Sequence, residues 1–148
     1  SLQKPVLHTK NDYDKKLKPN KNIKYKKSGL KERDASSYLT VLENYMQKEK
    51  PFCNGDLTIL DISKQLNIPR HYITQIINEK LHKNFYSYVN EYRINEAKEK
   101  ILNDKYRDYT ILRIAIESGF NSKSAFNTMF KKITNMSPSE YRKQYANK

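Results

Sequence analysis

Apolar residues recur along the chain at helical spacing, and turn residues divide the pattern into seven segments. From Ala35, the positions Ala35, Tyr38, Leu39, Leu42, Tyr45 and Met46 follow at intervals of three and four, which predicts a helix ending near Pro51. Asn54-Gly55-Asp56 reads as a turn. Thr58 with Asp61 has the spacing of a capping box, Asp standing for the usual Glu, and opens a helix with Ile59, Ile62 and Leu66 on one face. After a break at Asn67-Ile68-Pro69, a short helix carries Ile73, Ile76 and Ile77. Phe85 to Leu102 read as a longer helix with Phe85, Val89, Tyr92, Ala97 and Ile101 inward. Beyond Asn103-Asp104, one helix runs from about Thr110 to Gly119 and another from about Ser122 to Ile133. Ser137-Pro138-Ser139-Glu140 then starts a last one, with Ser as N-cap, Pro first and Glu third. No stretch has the period of a strand, so the expected fold is all-α.

The chain also repeats itself. Ile59 to Ile68 lie over Ile111 to Phe120 at a constant offset of 52 residues, placing Ile62 on Ile114, Ser63 on Ala115, Asn67 on Gly119 and Ile68 on Phe120. One extra residue in the second turn then sets Ile73 on Phe126 and Ile77 on Phe130. A small residue where two helices cross, a residue tolerant of left-handed backbone four positions on, and an apolar residue beneath the turn make a helix-turn-helix. It occurs twice, over about 57–80 and 110–133, joined by a connecting helix over about 85–102. That connecting helix spans roughly 27 Å, and adjacent major grooves on one face of B-DNA lie about 34 Å apart. One chain is thus expected to set both second helices in successive major grooves.

In each unit the second helix shows a polar outer face. His71, Thr74, Gln75 and Asn78 share one side in the first, opposite Ile73, Ile76 and Ile77. In the second, Lys123, Ser124, Asn127, Thr128 and Lys131 face out, with Ala125, Phe126, Met129 and Phe130 inward. None of the outer residues is a carboxylate that would repel phosphate. Gln and Asn can pair bidentately with adenine, and Lys can reach guanine acceptors. Lys131-Lys132 reads equally as a phosphate clamp or as solvated helix surface. Tyr72 either braces the first reading helix or touches sugar-phosphate.

Charge sharpens this picture and excludes other chemistry. The chain has 29 Lys+Arg against 16 Asp+Glu in 148 residues, a net charge of +13, and phosphate is the usual partner of such a surplus. Residues 1–34 carry 11 basic and 4 acidic residues without apolar period and read as a flexible basic tail or linker before a domain over 35–148. Three glycines leave no phosphate-cradling loop, and the single cysteine, Cys53, leaves neither a disulfide nor a cysteine zinc site. His71 has no ligand partner in sequence, its nearest histidine being His82. No cofactor, metal or catalytic group is expected, so no enzyme.

The stretch Ala115-x-x-x-Gly119-Phe120, then Phe126-x-x-x-Phe130-Lys131-Lys132, then Ser137-Pro138-Ser139-Glu140-Tyr141-Arg142, together with Tyr92-Arg93-Ile94-x-x-Ala97, resembles the AraC/XylS family of bacterial transcription regulators over residues 35–145. The resemblance implies two helix-turn-helix subdomains joined by a long helix and sequence-specific binding of double-stranded DNA. It places base-reading residues at His71, Thr74 and Gln75 and at Lys123, Ser124, Asn127 and Thr128. Arg70, Asn78, Lys131 and Lys132 are the expected phosphate contacts. Ser63, Asn67, Pro69 and Asn135 depart from the family pattern, which has Ala, Gly, Ser and Gly there.

Family members usually carry an N-terminal sensor domain. The Ser1-Leu2 start and the lead-in Lys24 to Leu30 suggest the C-terminal, cytoplasmic part of a longer regulator, either tethered to a membrane or preceded by an ordinary linker. Dimerisation through that sensor and contact with RNA polymerase are further partners the resemblance allows. The rival class is a helical module that binds anions without reading sequence. It would favour lysine where Gln75 and Asn127 stand.

Overall fold

The computed structural model describes residues 29–146. Among these residues are seven α-helices, two 3-10 turns and no strand. In chain order the helices are α1 Glu32–Glu49, α2 Ile59–Leu66, α3 Arg70–Leu81, α4 Phe85–Leu102, α5 Ile111–Glu117, α6 Lys123–Thr134 and α7 Pro138–Tyr145. The 3-10 turns, Pro51–Cys53 and Asp104–Tyr106, follow α1 and α4. The helix starts follow their capping chemistry. The Thr58 hydroxyl accepts from the Asp61 N–H at 3.2 Å while the Asp61 carboxylate accepts from the Thr58 N–H at 2.9 Å, so Asp closes the box in place of Glu. Ser137 and Glu140 do the same for α7, at 3.1 and 2.8 Å.

Residues 1–28 of the expected tail lie outside the described residues. Its last residues belong to the fold, because α1 starts at Glu32 rather than Ala35 and Leu30 is 1% exposed. The cause is a hydrophobic staple: Leu30, just before the N-cap Lys31, packs with Ala35 in the next turn and with Ile76 of α3.

The 52-residue repeat is visible in the backbone. Thr58 and Thr110 are both N-caps, and the N–H of Ile68 reaches the Ser63 carbonyl at 3.2 Å as that of Phe120 reaches Ala115 at 3.0 Å. Asn67 and Gly119 both turn left-handed, at φ 55° and 107°. The repeat continues further than apolar spacing indicates, at an offset of 53. His82 and Asn135 both end their helices with positive φ, Asn84 and Ser137 cap the next ones, and the ring pairs Tyr88–Tyr92 and Tyr141–Tyr145 lie at 5.3 and 4.8 Å. α1 and α4 are each 18 residues long. α4 therefore serves as the last helix of one unit and the first of the next.

That double duty changes which α4 residues are buried. Tyr88 and Val89 enter a core with Leu42, Met46, Phe52, Ile62, Ile68, Ile73 and Ile77. Ile94, Ala97 and Ile101 enter a second core with Ile114, Ala115, Phe120, Phe126 and Phe130. At 3.6 residues per turn the two sets lie about 160° apart, so the single inward stripe through Phe85 and Tyr92 is replaced by two faces. Phe85 and Tyr92 are half-buried against the first core.

Arg93 sits where α4 changes sides. Its Nε donates to the Phe52 carbonyl at 2.7 Å, one Nη to the Asn54 carbonyl at 3.0 Å and the other to Asn90 Oδ1 at 3.2 Å. The second unit's turn closes on the same loop, where Asn121 Nδ2 donates to the Gly55 carbonyl at 3.1 Å. A Cβ on Gly119 would lie 2.1 Å from the Phe52 oxygen and 2.7 Å from Arg93 Nε, in a backbone conformation that L side chains rarely adopt. Asn67, the repeat partner of Gly119, is exposed. Gly119→Ala is therefore expected to cost about 3 kcal/mol or more and Asn67→Ala about 1 kcal/mol in urea unfolding. Equal losses would mean that Gly119 serves the turn alone and not the approach of the two units.

Candidate nucleic-acid interface

α3 and α6 each follow the tight turn of their unit, and each has no acidic residue in its first turn. The positive end of either helix dipole is thus left for an external anion. α6 is N-capped by Ser122, whose hydroxyl accepts from the Ala125 N–H at 3.0 Å. α3 starts behind Pro69, with no side-chain cap; the ring instead presets the helical entry.

On α6 the residues expected to face outward do so: Lys123, Ser124, Thr128, Lys131 and Lys132 are exposed and Asn127 is half-buried. Ala125, expected inward, is exposed. The buried stripe is narrower than expected, Phe126 and Phe130 with a half-buried Met129, and Ala125 lies beyond its edge on the wall of an open cleft.

On α3 the picture departs further. His71 and Thr74 are exposed, and Arg70 and Asn78 are half-buried. Gln75 is 1% exposed and cannot share the outer face. The reason is α1, which packs chiefly against α3. Tyr72 stacks on Tyr38 of α1 with ring centroids 6.2 Å apart, and Ile76 packs with Leu30 and Ala35. Gln75 lies three residues after Tyr72 and one before Ile76, on the covered side. Its Nε2 is buried without a hydrogen-bond partner. Tyr72 is settled by the same packing as a brace: it stacks on α1 and meets His71 edge-on at 4.5 Å.

Burial, and then the adjacent Arg70, hold the His71 imidazole below its ordinary range. That favours the neutral imidazole, which has one nitrogen donating and one accepting. Among the described residues no group of His, Cys, Asp or Glu could hold a metal ion, and no helix is long and apolar enough to cross a membrane. Arg93, quoted in the sequence only as part of the connecting-helix motif, is the residue whose role was missed. Its signal was there, one of six arginines interrupting the connecting helix between apolar positions.

Comparison with known proteins converges on this geometry. A family model described as a helix-turn-helix domain matches residues 62–144. The melibiose operon regulatory protein of Escherichia coli K12 is 33% identical over 103 residues, 70% of this chain and 30% of that protein. An uncharacterised HTH-type transcriptional regulator of Staphylococcus aureus strain COL is 32% identical over 87 residues, 59% of this chain. The match spans only 11% of that regulator's length. Among solved structures, the C-terminal domain of AraT, a response regulator from Geobacillus stearothermophilus, superposes with a TM-score of 0.62 at 27% identity, covering 73% of this chain and 88% of that one. A transcriptional regulator from Chromobacterium violaceum described as having an AraC-type DNA-binding domain shares the fold at a TM-score of 0.55 and 24% identity, over 62% of this chain and 79% of that one.

The unpartnered amide nitrogen of Gln75 carries a stability cost. Replacing it by a side chain of similar length without polar nitrogen, Gln75→Met, is expected to raise the unfolding free energy by about 1 kcal/mol. A clear loss of stability in urea titration would show instead that the amide is engaged.

Proposed function

Because the chain belongs to the AraC-type helix-turn-helix family and is a DNA-binding domain of transcription regulation, we propose that it reads a bipartite duplex site with α3 and α6 in successive major grooves. The observation that supports this most is the repeat itself. A turn closed by the same bond, from Ile68 to Ser63 and from Phe120 to Ala115, precedes two helices that each present exposed polar side chains, and α4 with Arg93 holds them in one relative placement. Base reading falls to His71 and Thr74 in the first unit and to Lys123, Ser124, Asn127 and Thr128 in the second. Arg70, Asn78, Lys131 and Lys132 contact phosphate. Gln75 is left out of the reading set because it is buried.

The relatives extend far beyond the matched region, which supports a larger regulator with a sensing part elsewhere in its chain. The exposed uncharged readers speak against a module that only attracts anions, since Ser124, Thr128 and Thr74 offer hydrogen bonds without charge.

Selection from a random duplex pool at about 0.15 M salt, where nonspecific attraction is weakened, should return two half-sites about 10 base pairs apart. Thr74→Ala or Asn127→Ala should each cost about 1–3 kcal/mol at the selected site and little on random duplex. Lys131→Ala should weaken all duplexes alike and lower the salt slope by about one unit. Gln75→Met should leave the selected motif unchanged. A single uninterrupted motif, or none, would overturn the two-groove reading.

A further inference from the structure

We propose that the cleft between the two units seats a phosphodiester of the DNA strand crossing from one half-site to the other, with Arg93 and Asn90 of α4 as its donors. The inference rests on the reading above. The cleft is open and has a volume of about 490 Å³. Its walls come from both units and from the helix that joins them: Thr58 before α2, Tyr86, Asn90 and Arg93 of α4, and Ser122 and Ala125 at the start of α6. Among the described residues no carboxylate lines it, and Arg93 is its one charged group. Neither α4 nor α6 has an acidic residue in its first turn, so both helix dipoles add positive potential there. Asp61 occupies the start of α2, capping Thr58.

The charge of Arg93 is unanswered within the fold. The guanidinium is half-buried and donates to two carbonyls and an amide oxygen, with no carboxylate paired to it among the described residues. Burial holds it below its ordinary range. Three of its five N–H donors are engaged, which leaves one on each terminal nitrogen. Asn90 beside it is 2% exposed. Its Oδ1 takes the Arg93 bond, and its Nδ2 makes no hydrogen bond among the described residues. Asn90 forms part of the cleft wall, so the cleft is where an acceptor reaches that amide. A half-buried cation and a buried amide donor, both short of acceptors, call for an anion with several oxygens. Position selects the DNA strand as its source. Ala125 on the wall stands about 60° round α6 from Thr128, so the cleft opens beside the proposed reading face. A duplex with α3 and α6 in successive major grooves carries a minor groove about 6 Å wide between them. The strand bordering that groove passes the junction of the units, where the cleft lies.

The test is a methylphosphonate scan of the selected duplex, in which each linkage between the half-sites is made neutral in turn and bound by the full chain. It is run on the parent and on Asn90→Asp, which keeps an acceptor for Arg93 and turns the free donor into a negative charge. One linkage between the half-sites is expected to cost the parent about tenfold in affinity, the size of one charge-assisted hydrogen bond. Asn90→Asp should weaken the unmodified duplex by a similar factor and lose nothing further at that linkage. Linkages met by Lys131 and Lys132 should stay sensitive in both proteins. Where urea unfolding shows the Asp variant destabilised, Asn90→Ala, which removes the donor without adding charge, takes its place in the comparison. No sensitive linkage between the half-sites, or the same sensitivity in parent and variant, would overturn the seat and leave the two-groove reading intact. Failure of the parent to prefer the selected over random duplex would mark failure of that reading, and the seat would fall with it. Inorganic phosphate that stabilises the DNA-free parent but not Asn90→Asp, with no linkage sensitive, would assign the cleft to a small anion and overturn the proposal.

Discussion

The arrangement of this domain turns on one helix having to satisfy two cores. α4 gives Tyr88 and Val89 to the first and Ile94, Ala97 and Ile101 to the second, from nearly opposite sides. An amphipathic helix with one apolar stripe could anchor only one unit and would leave the other to pivot. Changing sides leaves a short polar section at Asn90 to Arg93, and the guanidinium there takes two carbonyls of the loop between α1 and α2. Those carbonyls belong to the first unit, and Gly119 of the second closes on one of them. A guanidinium holds both along the fixed directions of its planar fork, where a lysine ammonium would meet them without fixed geometry. The angle and spacing between α3 and α6 follow from this junction, and a duplex read by both, as proposed, would have to conform to it or bend.

The repeat is close in backbone and unequal in surroundings. The N-caps Thr58 and Thr110, the left-handed pairs Asn67 with Gly119 and His82 with Asn135, and the closing turn bond coincide, although α3 starts uncapped behind Pro69 where α6 is capped by Ser122. Yet the residue equivalent to the exposed Thr128 is the buried Gln75. What differs is the neighbour. α1 lies along one side of α3, held by the Leu30 staple, the Tyr38–Tyr72 stack and the ion pair of Glu32 with Lys80. The cover takes a strip of α3 surface out of contact with any ligand. It narrows the first unit's outer face to His71 and Thr74, with Arg70 and Asn78 at its margins.

Most of the fold was legible because its signals are local. Helical period, the boxes at Thr58 and Ser137, and the small residue at Ala115 with Gly119 four positions on are each written within a few residues. The second unit's outer face was legible for the same reason, since the aromatic stripe of α6 fixes which side is inward. Gln75 was misplaced because a wheel drawn from Ile73, Ile76 and Ile77 knows nothing of a helix packed on from elsewhere. A glutamine gives no apolar sign that it is covered. The two faces of α4 were missed because tertiary packing, not period, decides when a helix changes partners. Leu30 was assigned to the tail because a single apolar residue has no period to reveal it.

The inequality of the units bears on how the domain divides its work. The second unit presents the uncharged Ser124, Asn127 and Thr128 together with three exposed lysines, so in the proposed reading recognition and attraction come from one face. The first unit presents the His71 imidazole and the Thr74 hydroxyl, with a single arginine beside them. Attraction to phosphate is delocalised and need not come from the helix that reads, whereas hydrogen bonds to base edges must. Covering one side of α3 with α1 therefore costs the first unit contacts of the kind that can be supplied from elsewhere in the chain. What α1 gives in return is placement: it fixes α3 against the first core, and through the loop after it, against Arg93 and the second unit. A recognition surface with fewer readers in a defined place can discriminate where a broader but mobile one would only adhere.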